Sequence, residues 1–387
     1  MFSRYSIIMR YFIRQFFIIF LFVCFPFWLN AAESEPSKVP MKEAYQDFKV
    51  SIGVSLDSSE ITRTETAYII QTNFESITSK TELRADKILN IRPSRTVPFT
   101  ALDGKTYNMP FKINDTPIVN ALAKAKDMRV LLRIHPLIWH EHFPSWFFYK
   151  EFDTSKGLVD QSTMNARIEW YITSFIETVR KWEKVNARTI QVVGAFHVAS
   201  EIYTENGKLR EKEGSLWSAI YTDNSYVLHA YKIVCSMAKD TEKIVYSDSN
   251  LHITKKREAV LKLVEQIKKS GGKVDEIAVI SHLTSDWPNR NEYFDAIKAF
   301  GRKGLAVHIA QLDIASYDGK NEADCYADFM KQVLDNRSII SEVSFRNIIQ
   351  SSEKIYLDTM RSPIFDANFS PNDSYYSIIK AAEKYKK

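Results

Sequence analysis

Cysteine is nearly absent from this chain: three in 387 residues, at positions 24, 235 and 325. So few thiols cannot build the disulfide framework that staples small secreted domains. No Cys/His/carboxylate cluster has metal-ligand spacing either, so neither a metal nor an organic cofactor is expected. Glycine (11) and proline (12) are also scarce, which excludes a collagen-like or linker-dominated protein. No segment recurs with a period of about 20–50 residues, which excludes a solenoid or propeller. No apolar run reaches the roughly 20 residues needed to cross a bilayer as a helix.

The longest apolar run lies at the start. Arg4, Arg10 and Arg14 precede fourteen apolar residues from Phe16 to Leu29, followed by Asn30-Ala31-Ala32. A positive start, a short apolar core and small residues are the order of a secretory signal. Residues 1–32 are therefore expected to be a signal peptide, with an uncleaved membrane anchor as the alternative, and residues 33–41 a short polar leader. The expected location is secreted or extracytoplasmic. The formal net charge of +5 falls to +2 once the three arginines of the signal are set aside. That balance gives no footing for nucleic-acid binding. Cys235 and Cys325 would remain, enough for one disulfide but not for a framework.

What the chain does have is 45% hydrophobic and 26% charged residues, an ordinary globular balance, and length for one large α/β domain. Short β-branched runs alternate with longer amphipathic stretches. Strands are expected near 50–56, 76–80, 129–135, 189–195, 243–248, 276–283, 306–314 and 342–349. Several are continuously apolar, as strands covered on both faces should be. Between them, Ile168, Tyr171, Ile172, Phe175, Ile176 and Val179 recur at helical spacing, and residues 256–270 repeat the pattern up to Gly271-Gly272. Eight strands each followed by a helix or long excursion point to an α/β (β/α)8 TIM barrel over residues 42–387, with an open doubly wound sheet as competitor.

In a barrel, function is built at the C-terminal ends of the strands. There the sequence gathers His135, Trp139, His140 and Trp146 after the third strand, Tyr246, Asp248 and Asn250 at the fifth, His282 at the sixth and Asp313 at the seventh. Polar groups among aromatics at one rim suit a polar ligand.

These strand ends resemble glycoside hydrolase family 10, the endo-xylanase family, over about Met41 to Lys387. NFESITSKTELRADKI (73–88) is similar to the family's second-strand segment, with Glu82 and Arg84 where the family binds sugar. RIHPLIWHEHFPSWFF (133–148) resembles the third-strand motif, with His135, Trp139 and His140 lining the sugar-cleaving subsite. YSDSNL (246–251) resembles the fifth-strand motif, SHL (281–283) the sixth, and RSPIFDANFSPNDSYYSII (361–379) the closing segment.

The resemblance implies a two-carboxylate reaction in which one group protonates the leaving oxygen and the other attacks the anomeric carbon. In the family one Glu ends the fourth strand in a W-D-V-V-N-E pattern and the other ends the seventh in H-I-T-E-L-D. Placing IQVVGAFH (190–197) on the first puts Ala195 at the acid/base position, and VHIAQLDI (307–314) puts Gln311 at the nucleophile. Neither can do the chemistry, so the chain is expected to be a pseudoenzyme. Glu201, Glu141, His142 and His197 are read as loop residues rather than replacement acids. Where the family walls its central subsite with Trp, the chain carries Arg346 and Lys354. With Arg84 these are donors suited to carboxylate or sulfate. The expected ligand is a xylan-type or acidic polysaccharide or oligosaccharide. The contacts would be Glu82, Arg84, His135, Trp139, His140, Asp248, Asn250, His282, Gln311, Arg346 and Lys354. The protein is expected to be monomeric, and to meet a membrane only if the N-terminal segment is retained. Two rivals remain: an active glycoside hydrolase using relocated carboxylates, and a non-carbohydrate scaffold.

Overall fold

The computed structural model describes residues 39–211, 214–316, 321–346, 348–350 and 363–386. The expected signal segment and Lys354 lie outside them. Eight parallel strands form one closed barrel: β1 (Ser51–Ser55), β2 (Ser76–Thr78), β3 (Leu131–Ile134), β4 (Val193–Ser200), β5 (Lys243–Ser249), β6 (Glu276–Thr284), β7 (Ala306–Ala315) and β8 (Ile340–Arg346). Each pairs with its sequence neighbour, and β1 pairs with β8 to close the ring.

Helices follow the strands in alternation: α1 (Thr64–Asn73), α2 (Thr116–Met128), α3 (Gln161–Asn186), α4 (Ser225–Met237), α5 (Thr254–Lys269), α6 (Arg290–Gly301), α7 (Glu322–Asp335) and α8 (Asp373–Tyr385). The expected (β/α)8 barrel is what forms. α5 shows why such segments become helices. Val260, Leu263, Val264 and Ile267 repeat at three- and four-residue spacing and are buried, Lys255, Lys262, Lys268 and Lys269 take the other face, and Gly271 at φ +86° stops the turn. A hairpin (Thr96–Thr100 with Thr106–Pro110) fills the excursion between β2 and α2.

Between strands and helices lies one continuous apolar layer, to which each buried Leu, Ile or Phe adds about 1.5–3 kcal/mol. The interior of the barrel is different. Ala195, Val245, Ala278 and Ala310 form a small apolar plug. In the N-terminal half, Arg133 bridges Glu342 (2.8 Å) and Glu276, and Lys243 reaches Glu276 at 2.9 Å. Burial works to raise Glu276, but Arg133 and its other cationic neighbours hold its carboxyl well below the usual range.

One strand departs from expectation. β4 does not end at Ala195 but runs on to Ser200. The β-branched residues of 189–193 suggested the earlier position, yet the strand's C-terminal half carries His197 and Ser200, fully buried inside the barrel. His197 Nδ1 lies 2.6 Å from the Ser247 hydroxyl there. Hydrophobicity alone does not mark a strand whose inward face is polar.

Candidate functional site

At the C-terminal rim the loops surround a cleft of about 460 Å³. Glu201, the residue immediately after β4, faces into it. Its carboxylate accepts from Trp139 Nε1 at 3.1 Å and from the Ser249 hydroxyl at 2.5 Å. Trp139 is fixed in turn by Trp217 Nε1, which donates to its carbonyl at 2.9 Å. Ala195 lies six residues earlier, fully buried in the interior plug and remote from the strand end. The assignment of Ala195 to the strand-end position is therefore corrected: Glu201 occupies it.

Gln311 lines the cleft from β7 and is 8% exposed. The register slips on both sides of it, against β8 between Ile309 and Leu312 and against β6 between Ala310 and Asp313. A bulge of this kind re-aims one side chain. Its N–H donates to Ser344 Oγ at 3.3 Å. Glu201 (φ 51°), Asn250 (φ 56°) and Gln311 (φ 52°) all adopt left-handed backbone conformations, and all three line the cleft. Each costs on the order of 1–3 kcal/mol, and such strain gathers at functional sites.

β3 contributes His135, 4% exposed, whose ring nitrogens have no hydrogen-bond partner among the described residues. Burial lowers it to about 4, so it is neutral at pH 7 and offers one donor and one acceptor. From β6, His282 Nδ1 lies 2.9 Å from the Asp313 carboxylate, and its Nε2 lies 2.9 Å from Arg346 Nη1 at the end of β8. A guanidinium can only donate, so Nε2 accepts and Nδ1 carries the proton toward Asp313.

The sequence-expected contacts divide. Arg84, His135, Trp139, Asn250, His282, Gln311 and Arg346 line the cleft. Glu82 does not: its carboxylate turns to Ser58, accepting from the backbone N–H at 2.9 Å and from the hydroxyl, and burial pushes it up to about 7. His140 packs edge-on against Trp139 and pairs with Glu141 at 3.2 Å, outside the lining. Asp248 is fully buried behind the wall. It is pushed up to about 7 by burial against the pull of Lys256, 2.8 Å away, and accepts from Tyr246 at 2.7 Å.

Sequence reasoning missed Lys80, Ser249, His252 and Trp287 as lining residues. Trp287, 48% exposed, is held edge-on by His252 at 5.2 Å. A half-exposed Trp in a loop carries no periodicity to reveal it. Glu201 had a signal. FHVASE (196–201) fits the W-D-V-V-N-E pattern with Val198 and Glu201 coincident, whereas residues 190–195 share only the two valines.

Compared with protein families, residues 40–381 match Glycosyl hydrolase family 10. The chain belongs to this family. Among curated relatives of this family 10 protein, the bifunctional endo-1,4-beta-xylanase XylA of Ruminococcus flavefaciens is 26% identical over 92% of the chain. Endo-1,4-beta-xylanase B of Butyrivibrio fibrisolvens is 24% identical over 88%. The chain spans 35% and 53% of their respective lengths. Solved structures similar to it include the CBM22-1–GH10 modules of endo-1,4-beta-D-xylanase 10B of Clostridium thermocellum complexed with xylohexaose. That match has a TM-score of 0.73 and 22% identity, and covers 90% of this chain and 68% of that one. Xylanase 10B of Thermotoga petrophila RKU-1 in complex with xylobiose has a TM-score of 0.71 and 18% identity, covering 91% and 99%. The likeness to these structures is one of fold. Among the described residues no helix is long and apolar enough to cross a membrane.

Proposed function

We propose that the protein binds a xylan-type polysaccharide or oligosaccharide in the rim cleft without cleaving it by double displacement. The observation that carries this reading is Gln311. It occupies the bulged, cleft-facing position of β7 at which the family's H-I-T-E-L-D pattern places its attacking Glu. An amide keeps the shape and hydrogen bonding of a carboxylate but cannot attack the anomeric carbon or balance an oxocarbenium-like charge. Glu201 takes the proton-donor position at the end of β4, held by Trp139 and Ser249. Among the described lining residues it is the sole carboxylate. Half of the reactive pair is present and half is neutral, which makes a binding site rather than a hydrolytic one. The protein acts outside the cytoplasm as a monomer, with residues 1–32 serving as its export signal and no nucleic-acid or membrane partner once that segment is removed.

The presence of Glu201 supports a second reading, hydrolysis through a substitute for the missing nucleophile. One experiment separates the two. The protein is titrated calorimetrically with xylohexaose, and sugar release is followed in the same samples, for wild type and Gln311→Glu. Binding without release by wild type, with release gained by Gln311→Glu, is the expected result. Release by wild type that Gln311→Ala leaves unchanged would establish the second reading. Absence of binding would overturn both.

A further inference from the structure

Tryptophan is usually well buried. Trp287 is 48% exposed at the cleft, yet it is firmly held. The turn that carries it, at the end of β6, is closed by two bonds. The Thr284 N–H donates to the Trp287 carbonyl at 2.8 Å, and the Trp287 N–H donates to the Thr284 hydroxyl at 2.9 Å. Arg290 Nη2 ties the same turn to α6 by donating to the Thr284 carbonyl at 2.6 Å. His252, after β5, braces the indole at 5.2 Å with the two ring planes at 90°. A side chain whose backbone and ring are both fixed loses little freedom on meeting a ligand. Around the rim, Trp139 follows β3, Glu201 follows β4, Ser249 and Asn250 stand at the end of β5, and Trp287 follows β6. These four strands are consecutive neighbours, so β3 and β6 stand three strand spacings apart, about 14 Å. The lining therefore runs aromatic, polar, aromatic over more than the width of one sugar ring.

We infer that Trp287 is a stacking platform for a sugar unit remote from Glu201, and that the cleft takes an extended segment of a β-linked chain rather than a mono- or disaccharide. The inference rests on the glycan-binding reading above and adds the chain length that the site requires. A pyranose with equatorial substituents presents a flat face of C–H bonds and a rim of hydroxyls. The indole covers the face, while the polar side chains between the two tryptophans answer the hydroxyls. A purely apolar ligand in the same place would leave Glu201 and Asn250 covered without new partners, which costs affinity. Truncating a well-placed tryptophan at a binding surface typically costs on the order of tenfold in affinity or more. A short sugar held at the Glu201 end does not reach the platform and gains nothing from it.

The test is a calorimetric titration of the full chain with xylobiose, xylotriose and xylohexaose, for wild type, Trp287→Ala, Trp287→Tyr and Thr284→Val. Wild type is expected to bind xylohexaose about tenfold or more tightly than xylobiose. Trp287→Ala is expected to lose that advantage, and Trp287→Tyr, which keeps an aromatic face, to retain part of it. Thr284 lies outside the cleft lining, and Thr284→Val removes the hydroxyl that holds the Trp287 N–H. It is expected to diminish the advantage less than Trp287→Ala does. The quantity read is the ratio of long-chain to short-chain affinity, which a general weakening of the cleft lowers on both sides alike. Equal binding of the three sugars by wild type, or an advantage that Trp287→Ala retains in full, would overturn the inference while leaving the glycan-binding reading intact. Failure of wild type to bind any of them would overturn both. Should Trp287→Ala fail to fold, an advantage undiminished in both Trp287→Tyr and Thr284→Val would overturn the inference in its place.

Discussion

Lys256 and Asp248 are both fully buried and 2.8 Å apart, in a wall that no ligand reaches. Their role is one step removed from the cleft. Asp248 also accepts from the Ser249 N–H at 2.8 Å, and the Ser249 hydroxyl donates to Glu201. The ion pair therefore fixes the donor that holds Glu201. Replacing one member of a buried pair strands the other, which typically costs about 3–5 kcal/mol. Lys256→Met is expected to lower unfolding free energy by roughly that much, less whatever Asp248 recovers by protonating. Because Asp248 already sits near 7, the loss is expected to be larger at pH 8.5 than at pH 5.5. Denaturant titration at the two pH values checks it, and equal losses would show that Asp248 is not the group left behind.

At the scale of elements, α3 offers a clean control for the site. Its first turn is capped by Asp160, which accepts from the Thr163 N–H at 2.7 Å. Asp160→Ala is expected to cost about 1 kcal/mol of stability and to leave glycan affinity unchanged, readable by thermal melting beside calorimetry. Elements of this kind were legible in the sequence. Apolar stripes at helical spacing placed α3 and α5 within a few residues, and seven of the eight strands coincide with β-branched runs. β4 was misplaced because its inward face is polar: His197 and Ser200 turn into the barrel interior, where Ser247 meets the histidine. The same feature hid Glu201. A strand judged to end at Ala195 leaves Glu201 in a loop, whereas the structure gives it two hydrogen-bond donors in the cleft. Gln311 was legible because the β7 pattern has matching His308 and Asp313 on either side. Glu82, His140 and Asp248 are near the site in sequence but turned elsewhere by local partners, which no spacing rule records.

For the whole molecule, titrating groups of opposite sign share one pH window. His135 lies near 4, and His197 and His308, ranged along the barrel interior at ring separations of 5.2 and 6.0 Å, are also lowered, burial being the main cause. A histidine with a depressed folded-state value binds its proton first when unfolded. These residues therefore cost stability as pH falls from about 6.5 toward 4. Glu82 acts in the opposite sense. Raised to about 7 from an ordinary 4.5, it takes up a proton in the folded state first, so it adds stability as pH falls from 7 to 4.5. The gain is at most about 3 kcal/mol, and the partial exposure of Glu82 reduces it. Wild-type stability is expected to fall less between pH 7 and 4.5 than the histidines alone would make it, because Glu82 and Asp248, both raised to about 7, oppose them. Glu82→Gln removes one of these two compensating uptakes and leaves Asp248 as the other. Its unfolding free energy, followed by denaturant titration at pH 8, 6.5 and 4.5, is expected to drop away from wild type progressively on acidification. Parallel curves for the two proteins would mean that Glu82 titrates at an ordinary value and that its contact with Ser58 keeps the carboxylate charged. Below about 4.5 both proteins are expected to lose stability together as the Glu276 carboxylate, depressed by Arg133, is forced to protonate and the ion cluster in the N-terminal half of the barrel comes apart.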